Sequence, residues 1–166
     1  FKNDEFDVVF SNSVIEHISG IEKVITEVGR VTRRGGSFIF TSPSRYFTDH
    51  LYISKILRKF GLTFMAKSYA KLRNDKLNHF NLFDHREWSS RLIKEGLKVV
   101  YYEYYLPRNE IEVWDKICLF LKLSQPFPFL NHFLAQRYNQ EVRNILKKSE
   151  TVENGGSLLI VANKIK

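Results

Sequence analysis

The sequence predicts an α/β fold organised on one β-α-β unit, and three observations carry that prediction. Phe6-Asp7-Val8-Val9-Phe10 is a short run of aromatic and β-branched residues, the pattern of a strand buried on both faces. Ile21, Val24, Ile25, Val28 and Val31 then recur at helical spacing and give a helix one apolar face. Phe38-Ile39-Phe40, entered through Gly35-Gly36, is a second apolar run of strand length. Two strands joined through a helix lie parallel, with a right-handed crossover.

Taken in order, Ser11-Asn12-Ser13 breaks the first strand with small polar side chains. Ser19 and Glu22 stand three apart, the spacing of a capping box at the start of the helix. Arg30, Arg33 and Arg34 fall near its end, where the helix dipole favours cations, and Gly35-Gly36 gives the backbone freedom to leave it. The second strand ends at Thr41-Ser42-Pro43-Ser44. Residues 45–76 read as a basic insertion, with eight Lys and Arg against Asp49 and Asp75, and so hold most of the formal net charge of +8. Leu51, Ile56, Leu57 and Phe60 predict a short helix within it, ending near Gly61. Its position after the carboxyl end of a strand is where open α/β sheets bind ligands. It is either a lid that favours an anionic substrate or a solvated basic face.

Asp84 and Glu87 form an acidic capping pair for a helix that buries Trp88, Leu92 and Ile93 and closes at Gly96. Lys98 to Leu106 is a β-branched and aromatic strand stopped by Pro107, and Ser157 to Asn163 is another, preceded by Asn154-Gly155-Gly156. The long connection between them, 108–156, reads as a helical hairpin. Its stripes are Ile111, Val113, Trp114, Ile117, Cys118, Leu121 and then Leu130, Phe133, Leu134, Tyr138, Val142, Ile145, Leu146, with Pro126 and Pro128 at the corner. Asp115, Lys116 and Lys122 interrupt the apolar character, so the hairpin is not expected to span a membrane. Phe127, Phe129 and Phe133 leave peripheral contact with a membrane surface open.

The stretch Phe6-Asp7-Val8-Val9-Phe10-Ser11-Asn12, then Val14-Ile15-Glu16-His17, Glu27 with Arg30-Val31, and Gly35-Gly36 before a strand resembles the class I, Rossmann-like S-adenosylmethionine-dependent methyltransferases. The resemblance is to the fourth strand, following helix and fifth strand of that fold. It implies a sheet of order 3-2-1-4-5-7-6 with a last, antiparallel strand between the fifth and sixth, and segments 98–106 and 157–163 fit that ending. The family's glycine-rich turn after its first strand, and its acidic residue after the second, have no counterpart upstream of Phe6. Gly35-Gly36 and Gly155-Gly156 each lead into a strand and not into a helix N-terminus, so they do not substitute. The chain is therefore expected to be the C-terminal part of the domain, strands 4 to 7 with helical insertions, lacking about three β-α units or roughly 80–100 residues.

The same resemblance implies site residues and S-adenosylmethionine as cofactor. Ser11, Asn12 and Ser13 would lie against the methionine part of the cofactor, with Glu16 and His17 near the methyl group. His79 and Phe80 match the histidine and aromatic that often line the acceptor side, and His79 is the candidate catalytic base, since an unperturbed imidazole titrates near neutral pH. The alternative for His79 is a hydrogen-bonded loop histidine. His50, His85 and His132 show no ligand spacing and there is no Cys/His cluster, so no metal is expected.

Composition bounds the rest. At 166 residues and 43% hydrophobic content the chain has room for one core, and Cys118 is its one cysteine, which points to a reducing, cytoplasmic compartment. The first residues are charged and lead directly into a strand, so no signal peptide is expected there. Aromatics make up 14% of a chain with a pI near 9.6, yet they fall mostly on strand and helix core positions instead of alternating with Lys and Arg as a stacking platform requires. This argues against nucleic acid and for a small-molecule or lipid-like acceptor, with RNA methylation still open. Two rivals remain at this stage: a nicotinamide-dependent dehydrogenase, which would close its sheet with a parallel strand, and a non-catalytic or membrane-associated scaffold.

Overall fold

A computed structural model describes residues 1–146 and 152–165, without the side chains of 140–142 and 144–146. Val142, Ile145 and Leu146 of the second apolar stripe therefore lie outside the described side chains. Four strands form one sheet in the order β1-β2-β4-β3: β1 Phe6–Asn12, β2 Thr32–Pro43, β3 Leu97–Tyr105 and β4 Ser157–Lys164. β1 and β2 are parallel, whereas β4 is antiparallel to both β2 and β3. This is the 4-5-7-6 ending with its inserted antiparallel strand, and it removes the parallel closure that a dehydrogenase would show.

Helix α1, Ile21–Val31, buries Ile21, Ile25, Val28 and Val31 as its spacing dictates. Its cap differs from expectation. Gly20 is the N-cap and no side chain caps the helix, so the Ser19/Glu22 box does not form. Glu22 instead pairs with Arg91 across the helix pair. Gly35-Gly36 also has another use. The helix already ends at Thr32, and the glycines make a bulge inside β2, where Phe6 faces Thr32 but Val8 faces Ser37. Gly35 adopts φ +80°, which a side chain would disfavour.

The core lies between the sheet and the helices on it, with Phe40, Trp88, Leu92, Leu97, Leu158, Ile160 and Ala162 fully buried. Helix α4, His85–Leu92, starts with the expected capping box: Asp84 Oδ1 accepts from the Arg86 and Glu87 amides, and Glu87 Oε2 accepts from the Asp84 amide. Ile93 is an exception to the predicted face. It sits in a 3-10 turn, Ile93–Glu95, and is exposed.

β1 is also less buried than its composition predicts. It is an edge strand, and Val8 and Phe10 are 53% and 66% exposed. Burial on both faces needs a second neighbouring strand and a covering layer, and the described residues provide neither. An apolar groove is left along Phe6, Val8, Phe10 and Val24.

The basic insertion forms two helices, α2 Tyr52–Lys59 and α3 Thr63–Leu77, the second unannounced by any apolar stripe. Five of its eight cations are paired, Arg45 with Asp84, Lys55 with Glu112, Arg58 with Asp49, Lys71 with Asp75 and Arg73 with Asp115. Three of these partners, Asp84, Glu112 and Asp115, lie outside the insertion, so neighbouring segments and not its own acids compensate most of the paired charge. The hairpin is present as α5 Arg108–Ser124 and α6 Pro128–Leu146. Asp115, which in the sequence only interrupts a stripe, is fully buried and ties α5 to α2 and α3 through the Ile53 amide, the Tyr69 hydroxyl at 2.8 Å and Arg73. Among the described residues no helix is long and apolar enough to cross a membrane.

Candidate functional site

The carboxyl ends of β1 and β2 meet in a small polar knot. Thr41 at the end of β2 donates its hydroxyl to Asn12 Oδ1 at 2.5 Å, and both the carbonyl and the hydroxyl of Thr41 accept from the Ser13 amide. Ser13 takes φ +50°, a left-handed turn that swings the chain off the sheet. Ser11 is half-buried, while Asn12 and Ser13 are exposed at the strand end. That bond uses the Asn12 amide oxygen and leaves its two N–H donors unengaged by it.

A 3-10 turn, Ile15–His17, follows at once and carries Glu16 and His17. The loop after α3 is stitched onto it. The Phe80 amide donates to the Glu16 carbonyl at 2.7 Å, and Asn81 Nδ2 donates to the Ile15 and Ile18 carbonyls, both at 2.7 Å. Asn81 is buried and holds the two loops in register, a role its place in a polar loop sequence did not announce. His17 Nδ1 lies 3.1 Å from the Asn78 carbonyl, and its ring centroid is 5.4 Å from that of His79. The structure thus brings together Glu16, His17, His79 and Phe80, four of the residues singled out in the sequence. Phe80 is the loosest of them, with its ring largely exposed.

Glu16 is 1% exposed, and burial raises its pKa against the lowering effects of its own backbone hydrogen bond and of His17. His79 is drawn down to about 4, first by burial and then by His17. It is therefore neutral at physiological pH and a weaker base than an unperturbed histidine. The premise that it titrates near neutrality does not hold in this setting.

His79 also opens onto an apolar cavity of about 460 Å³, walled by Pro43, Phe47, Leu77, Leu106 and Trp114. Phe47 meets the His79 ring edge-on at 5.6 Å. The walls come from the end of β2, the end of α3 and from α5, so both insertions contribute to one chamber beside the strand ends. A larger cleft of about 710 Å³ between Asp84, His85, Tyr102 and Tyr104 is polar. Its groups are engaged with one another: Asp84 caps α4 and pairs with Arg45, and His85 stacks on Tyr102.

Among the described residues, Glu16, His17 and His79 also form a group whose potential ligand atoms all lie within 4.8 Å of one another. This group differs from the expectation of no metal-like cluster, since the spacing of histidine and cysteine along the chain does not pair these residues. Glu16 and His17 lie more than sixty residues from His79 in the chain, and the contacts of Asn81, of the Phe80 amide and of His17 with Asn78 unite them.

Residues 1–40 match the family model described as a methyltransferase domain. No curated protein sequence matches the chain. Among solved structures, the chain aligns over 99% of its length with a Galdieria sulphuraria protein provisionally assigned as a sarcosine dimethylglycine methyltransferase, at TM-score 0.53 and 13% identity, covering 55% of that protein. It aligns over its whole length with Haemonchus contortus phosphoethanolamine N-methyltransferase 2 in complex with S-adenosyl-L-methionine, at TM-score 0.52, 16% identity and 35% of that chain. A third match is the methyltransferase candidate of Haloferax volcanii that is held in complex with the Trm112 activator, at TM-score 0.54, 15% identity and 57% of that chain. The chain spans between about a third and just over half of these proteins. At such identities the likeness is one of fold, the Rossmann-like fold of the S-adenosylmethionine-dependent methyltransferases.

Proposed function

For a chain with the class I methyltransferase fold, whose first 40 residues match a methyltransferase domain, we propose a role as the C-terminal part of an enzyme that methylates a small-molecule or lipid-like acceptor. The observation that carries this reading is the convergence of the Ser11–Ser13 strand end, the Glu16–His17 turn and the apolar chamber of His79 at one edge of the sheet.

The residues present fit the methionine end of S-adenosylmethionine. Asn12 offers an amide NH2 to a carboxylate, and backbone carbonyls at a strand end suit an ammonium group. They do not provide a glycine-rich turn for the rest of the cofactor, and we assign that part to a segment of the protein upstream of Phe1. The same segment would cover the apolar groove on β1. When bound, the cofactor supplies an electrophilic methyl group. The chain's own task is then alignment and exclusion of water. Phe47, Leu77, Leu106 and Trp114 would enclose an acceptor with an apolar body, and Phe80 would border it. His79, being neutral, would accept a hydrogen bond or the proton that the acceptor's nucleophilic atom releases. Because most cations of residues 45–76 are paired, the chamber and not the charge is the better guide to the acceptor.

Peripheral contact with a lipid surface is part of the proposal. Its support is the corner of the α5–α6 hairpin, where Phe127, Phe129 and Phe133 are exposed, Phe129 at 88%.

Calorimetric titration with S-adenosylhomocysteine tests the central reading, on this chain and on one extended upstream by its native sequence. Binding to the extended chain alone is the expected result. Binding to neither would favour a non-catalytic scaffold. In the extended protein, Asn12→Ala is expected to weaken cofactor binding more than His79→Ala, and wild-type affinity in both would remove the assignment of the strand end.

A further inference from the structure

We infer that Glu16, His17 and His79 form a binding site for a divalent cation that takes mixed nitrogen and oxygen ligands, zinc foremost and manganese or iron(II) after it. Two imidazoles and one carboxylate are a recurrent donor set for such ions, and they leave coordination positions open for water or a substrate oxygen. The inference does not depend on methyl transfer, because it rests on the side chains alone.

Four observations support it. The three donors lie within 4.8 Å of one another, and His17 Nε2 is already 3.7 Å from Glu16 Oε1. Donors bound at about 2.1 Å to a tetrahedral ion stand roughly 3.4 Å apart, so modest side-chain rotation closes the set. Second, Glu16 is buried with Oε2 lacking any hydrogen-bond partner among the described residues, and His79 Nδ1 is buried and equally unpartnered. An interior carboxylate oxygen without a donor is costly, and a cation at this point would satisfy it.

Third, the His17 tautomer is set. Its Nδ1 sits 3.1 Å from the Asn78 carbonyl, which only an Nδ1–H can satisfy, and this leaves Nε2, 3.7 Å from Glu16 Oε1, as the ring nitrogen available to a cation. A metal-binding histidine commonly donates its other N–H to a carbonyl in this way. Fourth, the two loops that carry the donors are tied by Asn81 Nδ2 and by the Phe80 amide, so the site is held by the fold and not by chance contact of mobile side chains. With His17 44% exposed on its side-chain surface, the site is open on one side, toward which an acceptor oxygen could enter. A cation there would polarise that oxygen and make loss of its proton easier, and with the His79 lone pair on the cation, that proton would go to water and not to His79.

The test is equilibrium titration of the metal-stripped chain with Zn²⁺, together with Co²⁺ as a spectroscopic probe, with no methyl donor present. One ion per chain is expected, with visible Co²⁺ bands of nitrogen and oxygen coordination. Glu16→Gln, which keeps the buried shape, and His17→Ala, which alters an exposed side chain, should each weaken binding at least tenfold and change the Co²⁺ bands. His132→Ala, on the exposed face of α6, should leave binding unchanged. Failure of the wild-type chain to bind, or undiminished binding in the Glu16→Gln/His17→Ala double variant, overturns the site. Calorimetry with S-adenosylhomocysteine reads the methyltransferase proposal separately, so either can fail while the other stands.

Discussion

β1 and β4 are built from the same kind of sequence and end in opposite surroundings. FDVVFSN and SLLIVANK are both short, apolar and rich in β-branched residues. β4 is bonded on both sides, to β2 and β3, and Leu158, Ile160 and Ala162 are fully buried. β1 is bonded on one side only, and Val8 and Phe10 face outward. Local composition therefore decides that a segment is a strand, whereas its neighbours decide whether it is buried. Among the described residues β4 has a strand on each side and β1 has one on a single side.

The largest expected effect lies in β4. Ile160→Ala removes a side chain from the middle of the core, where Phe40, Trp88 and Leu158 also lie, and should lower stability by about 2–5 kcal/mol. A urea-unfolding midpoint within error of the parent would mean that β4 is not the central strand. The turn that delivers β4 should be the next most sensitive point. Ser44 Oγ donates to the Gly155 carbonyl at 2.6 Å, the Gly156 amide donates to the Leu106 carbonyl at 2.8 Å, and a Cβ on Gly155 would collide with the Tyr105 backbone. Gly155→Ala should cost about 1–3 kcal/mol through forced backbone shifts, read as a lowered thermal midpoint.

The contrast also explains what could be read in advance. The four strands and the Asp84/Glu87 box were legible because each rests on local patterns, apolar runs, turn residues and a three-residue spacing, whereas the strand order and the antiparallel last strand came only through the resemblance to the methyltransferases. The Ser19/Glu22 pair had the same spacing and failed, since Gly20 takes the cap and Glu22 turns to Arg91. α3 was harder to read because its packed face is carried by Ala66, Tyr69, Ala70 and Leu77 while the larger apolar residues Phe64, Met65 and Leu72 point to solvent, which blurs the stripe. Of the site, the strand end and the individual histidines were visible. The resemblance placed Glu16, His17 and His79 around one site, but the direct clustering of their side chains was not legible, because it depends on Asn81 donating back to a turn more than sixty residues earlier. Likewise the shift of His79 to about 4 follows from burial by Phe47 and neighbours that arrive from the insertions.

The smallest expected effect is the most informative. Phe10→Ser replaces a side chain that is 66% exposed, and in this chain the change should stay within about 0.5 kcal/mol. If β1 is covered by an upstream segment in the longer protein, the same substitution there removes a buried aromatic and should cost about 2–4 kcal/mol. The difference between the two backgrounds is then a measure of the missing neighbour, free of any assumption about activity. Equal, small effects in both would leave β1 a true edge and require another explanation for its apolar face. Equal, large effects would mean that Phe10 is already covered in this chain, for example by a second copy along the β1 groove, and sedimentation of the parent chain would then show a dimer.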